Sequence, residues 1–351
     1  MVLLASMTNP PDAKDETGSA PVVSGAAPAS GALRLDRRGT SRRASADAPV
    51  LGADEWDALE GMARTLTGSG WYRVIRRFKR RDQYASPAPV AVHRALFIDV
   101  ETTGLDVTSD RIIELAAVPF EFDSDGVVYG VGEALSFFED PGVPIPADIT
   151  ELTGISDETV RGSRIDDAAV NRLLAECVLV IAHNADFDRR MIERRLPSFA
   201  TKHWACSQKE VPWDRFGCGG RKLDYLLFRA CGEFHDGHRA VDDCLAGIHL
   251  LADARCDDGT PMNFLLQSAR EPRLRVWALG APFEMKDELK RRRYRWNDGA
   301  DGKNKAWYRD VAPSELEAEK AWLREAASAR KIGIAPRIDQ ITARDRYSVR
   351  S

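Results

Sequence analysis

Three short segments hold the residue types and spacings that do chemistry. The first is Asp99-Val100-Glu101-Thr102-Thr103-Gly104, directly after the apolar run Ala95-Leu96-Phe97-Ile98. On a strand, residues i and i+2 project to one face, so Asp99 and Glu101 point together. Two carboxylates at the end of an apolar strand repel each other and are poorly solvated. One is driven towards protonation unless a cation neutralises the pair. A hard divalent cation with oxygen ligands suits such a site, Mg²⁺ above all. A strand running into a solvated acidic turn would carry the same letters. The second segment, Ala182-His183-Asn184-Ala185-Asp186-Phe187-Asp188, follows an apolar strand and opens a helix. A carboxylate there also serves as a cap or dipole partner. The third is His238-Arg239-Ala240-Val241-Asp242-Asp243. Five residues rotate a helix by ~500°, so His238 reaches the Asp243 side only from the preceding loop. Ala240, Asp243 and Gly247 then form one face of small neighbours with space for ions and substrate, while Asp242 turns towards Leu245 and His249. A histidine so placed is equally an ordinary hydrogen-bonded loop residue.

These segments need a scaffold, and residues 94–251 have a mixed α/β pattern. Strands are expected at 95–98, 112–122 and 127–138, the last two joined by the turn Asp123-Ser124-Asp125-Gly126. A helix over 165–176, a strand at 178–181 and a helix over 185–195 follow, and a last helix runs from His238 or Arg239 towards Ala254. A hairpin set followed by alternating strands and helices predicts a mixed sheet with helices on its faces.

In this order, acidic pair, helix-start aspartate and His-x4-Asp, the segments resemble the DEDD exonuclease superfamily in its histidine (DEDDh) branch. This is the DnaQ-like group that includes the proofreading epsilon subunit of bacterial DNA polymerase III. The likeness spans about Ala95 to Ala254 and places the five functional positions at Asp99, Glu101, Asp188, His238 and Asp243. Asp242 offers a competing His-x3-Asp spacing. The resemblance implies an RNase H-like mixed β-sheet flanked by helices. It also implies metal-dependent 3′→5′ hydrolysis of single-stranded DNA, releasing nucleoside 5′-monophosphates, in proofreading or repair. Asp99, Glu101 and Asp243 would hold one Mg²⁺ or Mn²⁺. Asp99 would share in a second ion, and Asp188 would complete the site directly or through water. Two cations ~3.5–4 Å apart stabilise both the attacking and the leaving oxygen. His238 would take the proton from the attacking water, a task suited to a side chain with an ordinary pKa near ~6.5.

The resemblance further places the 3′-terminal nucleotide against Thr102, Thr103, Gly104 and Leu105, with Gly104 allowing close approach. An Ile-x-x-Leu-Thr-Gly-Ile segment at 149–155 adds Leu152 and Thr153 near the terminal base, although it also reads as a turn and cap around Ser156. Asn184 joins the substrate contacts. An RNA 3′→5′ exonuclease of the RNase T or oligoribonuclease type would use the same five positions. A non-catalytic nucleic-acid-binding module would have no need of all of them.

The chain has 351 residues, 44% hydrophobic and 30% charged, with a net charge of −4. Those values exclude general disorder and a uniformly basic coat. The apolar run at 178–182 is far short of the ~20 residues that span a bilayer. Six cysteines without a C-x-x-C pair give little support for zinc. The N-terminus lacks the basic start and apolar core of a secretory signal, so a reducing cytoplasm and no membrane are expected.

Residues 1–52 are expected to form a disordered tail, since the first 50 contain no aromatic residue and half are Ala, Gly, Pro or Ser. Residues 53–93 read as a helical and basic extension. Trp56, Leu59, Met62, Ala63 and Leu66 have helical spacing, and Trp71 to Arg81 forms either a solvated face or an edge that contacts phosphates. The DEDDh exonuclease domain is placed at 94–256 and a small α+β domain at 257–351. The latter has a strand at 274–278, a helix at 285–293 and a hairpin joining Tyr294-Arg295-Trp296 to Ala306-Trp307-Tyr308. A further helix opens on a Ser314-x-x-Glu317 capping box. Trp277, Trp296, Trp307 and Trp322 lie among Lys290, Arg291, Arg292, Arg293 and Arg295. They form either the core of a small domain or a grip on single-stranded nucleic acid. The expected partner is single-stranded nucleic acid, DNA before RNA, with a DNA polymerase as a second candidate.

Overall fold

Run length and apolar content decide where this chain makes its strands, seen here in a computed structural model. It describes residues 52–86, 92–299, 302 and 304–349, so the tail expected over 1–52 lies, apart from Gly52, outside the described residues. Strand β1 (Arg76–Arg77) is a short piece of the basic N-terminal segment. β2 (His93–Thr102) and β3 (Ile112–Phe122) pair antiparallel over almost their full length. Both are nearly continuous apolar runs because both faces of their sheet are covered. β4 (Val128–Val131) and β5 (Leu135–Phe138) each return against β3. The expected single strand over 127–138 is thus two strands. The ladder breaks where the Gly132 N–H turns to the Pro119 carbonyl at 2.8 Å.

β6 (Leu179–Ala182) and β7 (His203–Cys206) extend the sheet in parallel, giving the order β4-β3-β2-β6-β7 with β5 beside β3. The fold is the expected mixed sheet flanked by helices. One face packs Phe97, Val118 and Phe120 against Cys244, Ile248 and Leu251 of the helix Ala240–Asp253. The other packs Leu96, Ile98, Leu115 and Val180 against Val170 and Leu174 of the helix Asp167–Glu176 and Met191 and Ile192 of the helix Ala185–Arg195. The Asp167 helix begins two residues later than expected because Asp166 caps it, accepting the Ala169 N–H at 2.9 Å.

The helix Ala240–Asp253 sits close against β2. A Cβ on Gly247 would stand 2.2 Å from Cζ of Phe97. This corrects the expectation that Gly247 leaves room for ions: the Phe97 ring fills that room.

In the N-terminal extension the helix Ala53–Gly68 forms as expected, but it buries none of its residues. The Lys79 ammonium lies 3.6 Å over the Trp56 ring. β1 pairs in parallel with β8 (Glu233–Phe234). The arginines around it are engaged with carboxylates: Arg76 with Glu60 at 2.6 Å, Arg77 with Asp236 at 2.5 Å, Arg80 with Asp82 at 2.8 Å and Arg81 with Asp253 at 3.3 Å.

The C-terminal residues build a separate antiparallel sheet from β9 (Arg273–Leu279), β10 (Arg295–Asn297), β11 (Ala306–Val311) and β12 (Ala335–Ile341), in the order β10-β11-β9-β12. The expected β10–β11 hairpin is present; β12 was not foreseen, since its alternating pattern is short and begins beside Pro336. The helix Leu316–Arg330 covers the apolar face, with Leu323 and Ala326 meeting Val276, Ala278 and Trp307. The expected Ser314 cap is displaced by two residues. Glu315 instead accepts the Ala312 N–H at 3.0 Å, and a 3₁₀ turn at Pro313–Glu315 leads into the helix. The helix expected over 285–293 shortens to Lys286–Arg291, preceded by a 3₁₀ turn at Phe283–Met285. Trp277 and Trp307 are buried, Trp322 joins the core edge and Trp296 is exposed. All six cysteines are free thiols. Among the described residues no helix is long and apolar enough to cross a membrane.

Gly247→Ala should destabilise the protein by about 1–3 kcal/mol, the usual cost of overpacking a close-packed contact. Thermal unfolding checks this, and Phe97→Leu in the same chain should recover part of the loss. An unchanged melting temperature in the single variant would refute the contact.

Candidate active site

Asp99 and Glu101 lie on β2, where the ladder with β3 slips between Glu101 and Thr102. Bulges of this kind re-aim side chains at the end of a pairing. Asp243 comes from the first turn of the helix Ala240–Asp253, on the side that faces the sheet. One carboxylate oxygen from each of Asp99, Glu101 and Asp243 lies within 4.8 Å of the other two. Asp188 stands outside that set but beside it, buried in the first turn of the helix Ala185–Arg195. Together with Asn184, His235 and His238 these four acids line a cavity of about 580 Å³.

The crowding shows in their protonation. Burial, then the charges of Asp188, Asp243 and Glu101, pushes the Asp99 carboxyl well above the ordinary range. Glu101 is raised to about 8, by burial first and by Asp243 and Glu114 after it, with Arg239 pulling the other way. Burial raises Asp188 to about 7 against hydrogen bonds from the backbone at Asp188 and Val100, and the Asp243 charge adds to the rise. Arg239 relieves the cluster only in part, because its guanidinium is bonded to Glu114. That fully buried acid sits opposite Glu101 in the ladder and accepts from Arg239 Nη2 at 3.1 Å and from the Ala240 N–H at 3.2 Å. Four carboxylates with all-oxygen donors fit a hard divalent cation.

The two histidines divide differently from the sequence pattern. His238 is in the loop, as expected, with its backbone in the left-handed region (φ 61°) and its side chain exposed. It is the His238 backbone N–H that meets Asp243, donating to Oδ2 at 2.9 Å. The ring on Asp243 belongs to His235, whose Nε2 lies 2.6 Å from Oδ1 and whose Nδ1 is buried without a partner. Sequence reasoning missed His235. Its separation of eight residues from Asp243 fits no helical stripe, and the only signal is a second histidine three residues before His238. Lys222 and Asp224 also line the cavity without having been singled out. His183 is held between Ser207 Oγ at 2.9 Å and the Arg221 carbonyl at 2.8 Å. Asp186 pairs with Arg190 and Lys209, each at 2.9 Å, and Asp242 is exposed.

Of the substrate residues read from the sequence, Asn184 lines the acidic cavity; Thr102, Thr103, Gly104, Leu105, Leu152 and Thr153 do not. The Thr102 hydroxyl donates to the Gly104 carbonyl at 2.6 Å, and that of Thr103 to Asp110 Oδ1 at 2.9 Å. A Cβ on Gly104 would stand 2.5 Å from Asp110 Oδ2, so the close approach that needs glycine there is made by Asp110. Leu105 is 85% exposed. Thr153 is buried, donating to the Ile149 carbonyl at 2.9 Å and accepting the Ile155 N–H at 3.1 Å. Leu152 is exposed on the helix Ala147–Thr153, and Ser156 caps the turn Asp157–Val160.

Residues 96–251 match the RNase T family, described as an exonuclease. The PolC-type DNA polymerase III of Clostridium perfringens is 33% identical over 159 residues, covering 44% of this chain and 10% of the polymerase. That of Halalkalibacterium halodurans is 38% identical over 175 residues, 46% of this chain and 11% of the polymerase. The chain therefore spans about a tenth of the length of these relatives. Among solved structures, E. coli exonuclease I in complex with a dT13 oligonucleotide is 21% identical over 44% of this chain and 39% of its own, with a TM-score of 0.36. With the acidic motif order inside the matched segment, residues 96–251 are similar to the DnaQ-like exonucleases.

Proposed function

We propose that this protein is a divalent-metal-dependent 3′→5′ exonuclease that releases nucleoside 5′-monophosphates from the 3′ end of single-stranded DNA. The observation that carries the reading is the convergence of Asp99, Glu101 and Asp243 within 4.8 Å, in a cavity also lined by Asp188 and His238. When bound, two Mg²⁺ or Mn²⁺ ions would supply positive charge to the scissile phosphate and to the attacking and leaving oxygens. Asp99, Glu101 and Asp243 would hold one ion, and Asp99 and Asp188 would serve a second. His238, exposed at the cavity, takes the proton from the attacking water. His235 holds the Asp243 carboxylate in place through its Oδ1. Asn184 is a substrate contact within the cavity; Thr102, Thr103, Gly104, Leu105, Leu152 and Thr153 contact the terminal nucleotide only if it extends beyond the cavity.

In this reading residues 94–256 are the catalytic unit and 257–351 an appended one. Similarity to DNA polymerases favours DNA over RNA as substrate and proofreading or repair as the setting, in the cytoplasm. It also supports a second reading, in which the chain works on a DNA polymerase. Co-purification with a replicative polymerase at physiological salt would separate a bound subunit from a free-standing enzyme.

A 5′-labelled single-stranded DNA and its RNA twin, incubated with the protein and Mn²⁺, should give a ladder shortening from the 3′ end, faster on DNA. Asp99→Ala should abolish it, and His238→Ala should slow it by ~10²–10⁴-fold, the usual worth of a general base. Fragments shortening from the 5′ end, or a fully active Asp99→Ala, would sink the proposal.

The raised acids also predict a pH dependence of stability. With Glu101 at about 8 and Asp188 at about 7, the folded protein binds more protons than the unfolded chain up to those values. Metal-free stability therefore falls as pH rises from ~6.5 to ~8.5, by roughly 3–6 °C in melting temperature. Mn²⁺ at the upper pH should restore it, and Asp99→Asn should flatten the profile. A metal-free melting temperature that rises across this window would contradict the crowding.

A further inference from the structure

The C-terminal sheet has two unlike faces. Val276 and Ala278 of β9 point into the apolar core under the helix Leu316–Arg330. Alternation puts Arg273 and Arg275 on the other face. Their cross-strand neighbours continue it: Asp310 lies opposite Arg275, and Arg295 opposite Tyr308. The Arg275 and Arg295 guanidiniums lie 4.5 and 4.9 Å from the centre of the Tyr308 ring. This face, together with Asp186, Arg190, Lys209 and Glu210 of the exonuclease part and the C-terminal Arg346, encloses a second cavity of about 290 Å³.

The charge of that cavity is uneven. Six cationic side chains (Arg190, Lys209, Arg273, Arg275, Arg295 and Arg346) meet three carboxylates, an excess of three positive charges. The carboxylates are shared: Asp186 between Arg190 and Lys209, Asp310 between Arg275 and Arg295. Arg346 is 6% exposed and bonded to Glu210 at 2.7 Å, yet its Nε is buried without an acceptor, as is Nε of Arg190. Guanidiniums stacked on an aromatic ring, in excess over their carboxylates and with donors to spare, match the planar, bidentate recognition of phosphate oxygens.

We propose that this cavity is a phosphate-binding site, filled by a nucleotide phosphate of a polynucleotide backbone or of a free mononucleotide. It lies on the same helix as the acidic site but on another side. Asp186 and Asp188 are two residues apart, so they point ~200° from each other around the Ala185–Arg195 helix. A backbone source rests on the exonuclease reading, with the site gripping the strand away from its 3′ end. A free mononucleotide source does not.

The test uses the full chain carrying Asp99→Ala, in EDTA, so that binding is read without turnover. The probes are dT20, dT4, dTMP and inorganic phosphate, compared between the parent and the double variant Arg273→Gln/Arg295→Gln. The altered side chains are half-buried or exposed, and an unchanged melting temperature verifies the fold. A backbone site predicts at least tenfold weaker dT20 binding, little change for dT4, and a salt slope smaller by about 1.4 for two lost contacts. A mononucleotide site predicts that dTMP or phosphate binds the parent and is lost with the same variant. Arg273→Lys/Arg295→Lys should restore much of the charge-driven part in either case. Equal affinities and salt slopes for every probe in parent and glutamine variant would overturn the proposal. Absence of turnover by the unaltered chain would instead refute the exonuclease reading and the backbone source that rests on it, leaving the phosphate site to the dTMP and phosphate arms.

Discussion

Four carboxylates crowded into one half-buried cavity repel each other, and the folded chain must hold them there by other means. The long β2–β3 ladder and the helix Ala240–Asp253, seated on the Phe97 ring through Gly247, fix the backbone on which Asp99, Glu101 and Asp243 stand. Close packing makes that frame stiff, so the acids cannot relax apart by small movements. The raised protonation of Asp99, Glu101 and Asp188 is the result. The neighbouring Glu114, fully buried, is bonded differently. It accepts hydrogen bonds from the Arg239 guanidinium and the helix-start Ala240 N–H. The cluster beside it is answered only in part, by the His238 N–H and the His235 ring on Asp243, and its all-oxygen donors suit cations.

The loop before that helix is held from two directions. Asp243 accepts the backbone N–H of His238 and the ring of His235. His238 meanwhile occupies a backbone region that a residue with a Cβ rarely adopts. Upstream, β8 pairs with β1, the Phe78 N–H reaches the Phe234 carbonyl at 2.7 Å and Arg77 reaches Asp236. The N-terminal extension thus ties down the residues that enter the histidine loop. Of its arginines Arg77 serves this bracing, while Arg76, Arg80 and Arg81 pair with Glu60, Asp82 and Asp253.

The helix Ala185–Arg195 serves two environments at once. Asp188 faces the acidic cavity, while Asp186 and Arg190 face the arginine-lined cavity against the C-terminal sheet. The fully buried Arg189 secures the same helix to the C-terminal segment, donating to the Arg346 carbonyl at 2.6 Å and the Arg344 carbonyl at 2.7 Å. The segment after β12 is therefore docked on an element of the acidic site by two hydrogen bonds, one of them buried, and buried bonds cost most when broken.

Local spacing in the sequence was enough to place Asp99 and Glu101 on one strand face, Asp243 on a helix and His238 in the loop ahead of it. Strand and helix periods are properties of a few neighbouring residues, so they are legible without knowledge of the rest of the chain. The mixed sheet was legible for the same reason, from the order of its apolar runs. What tertiary structure alone decided lies in contacts between residues far apart in sequence. Phe97 filling the space beside Gly247, Glu114 claiming Arg239, and Asp110 closing over Gly104 leave no periodic mark. His235 on Asp243 and the arginines gathered from β9, β10 and the C-terminal segment are of the same kind. Their positions follow from how strands, helices and loops are brought together, and no local pattern records that.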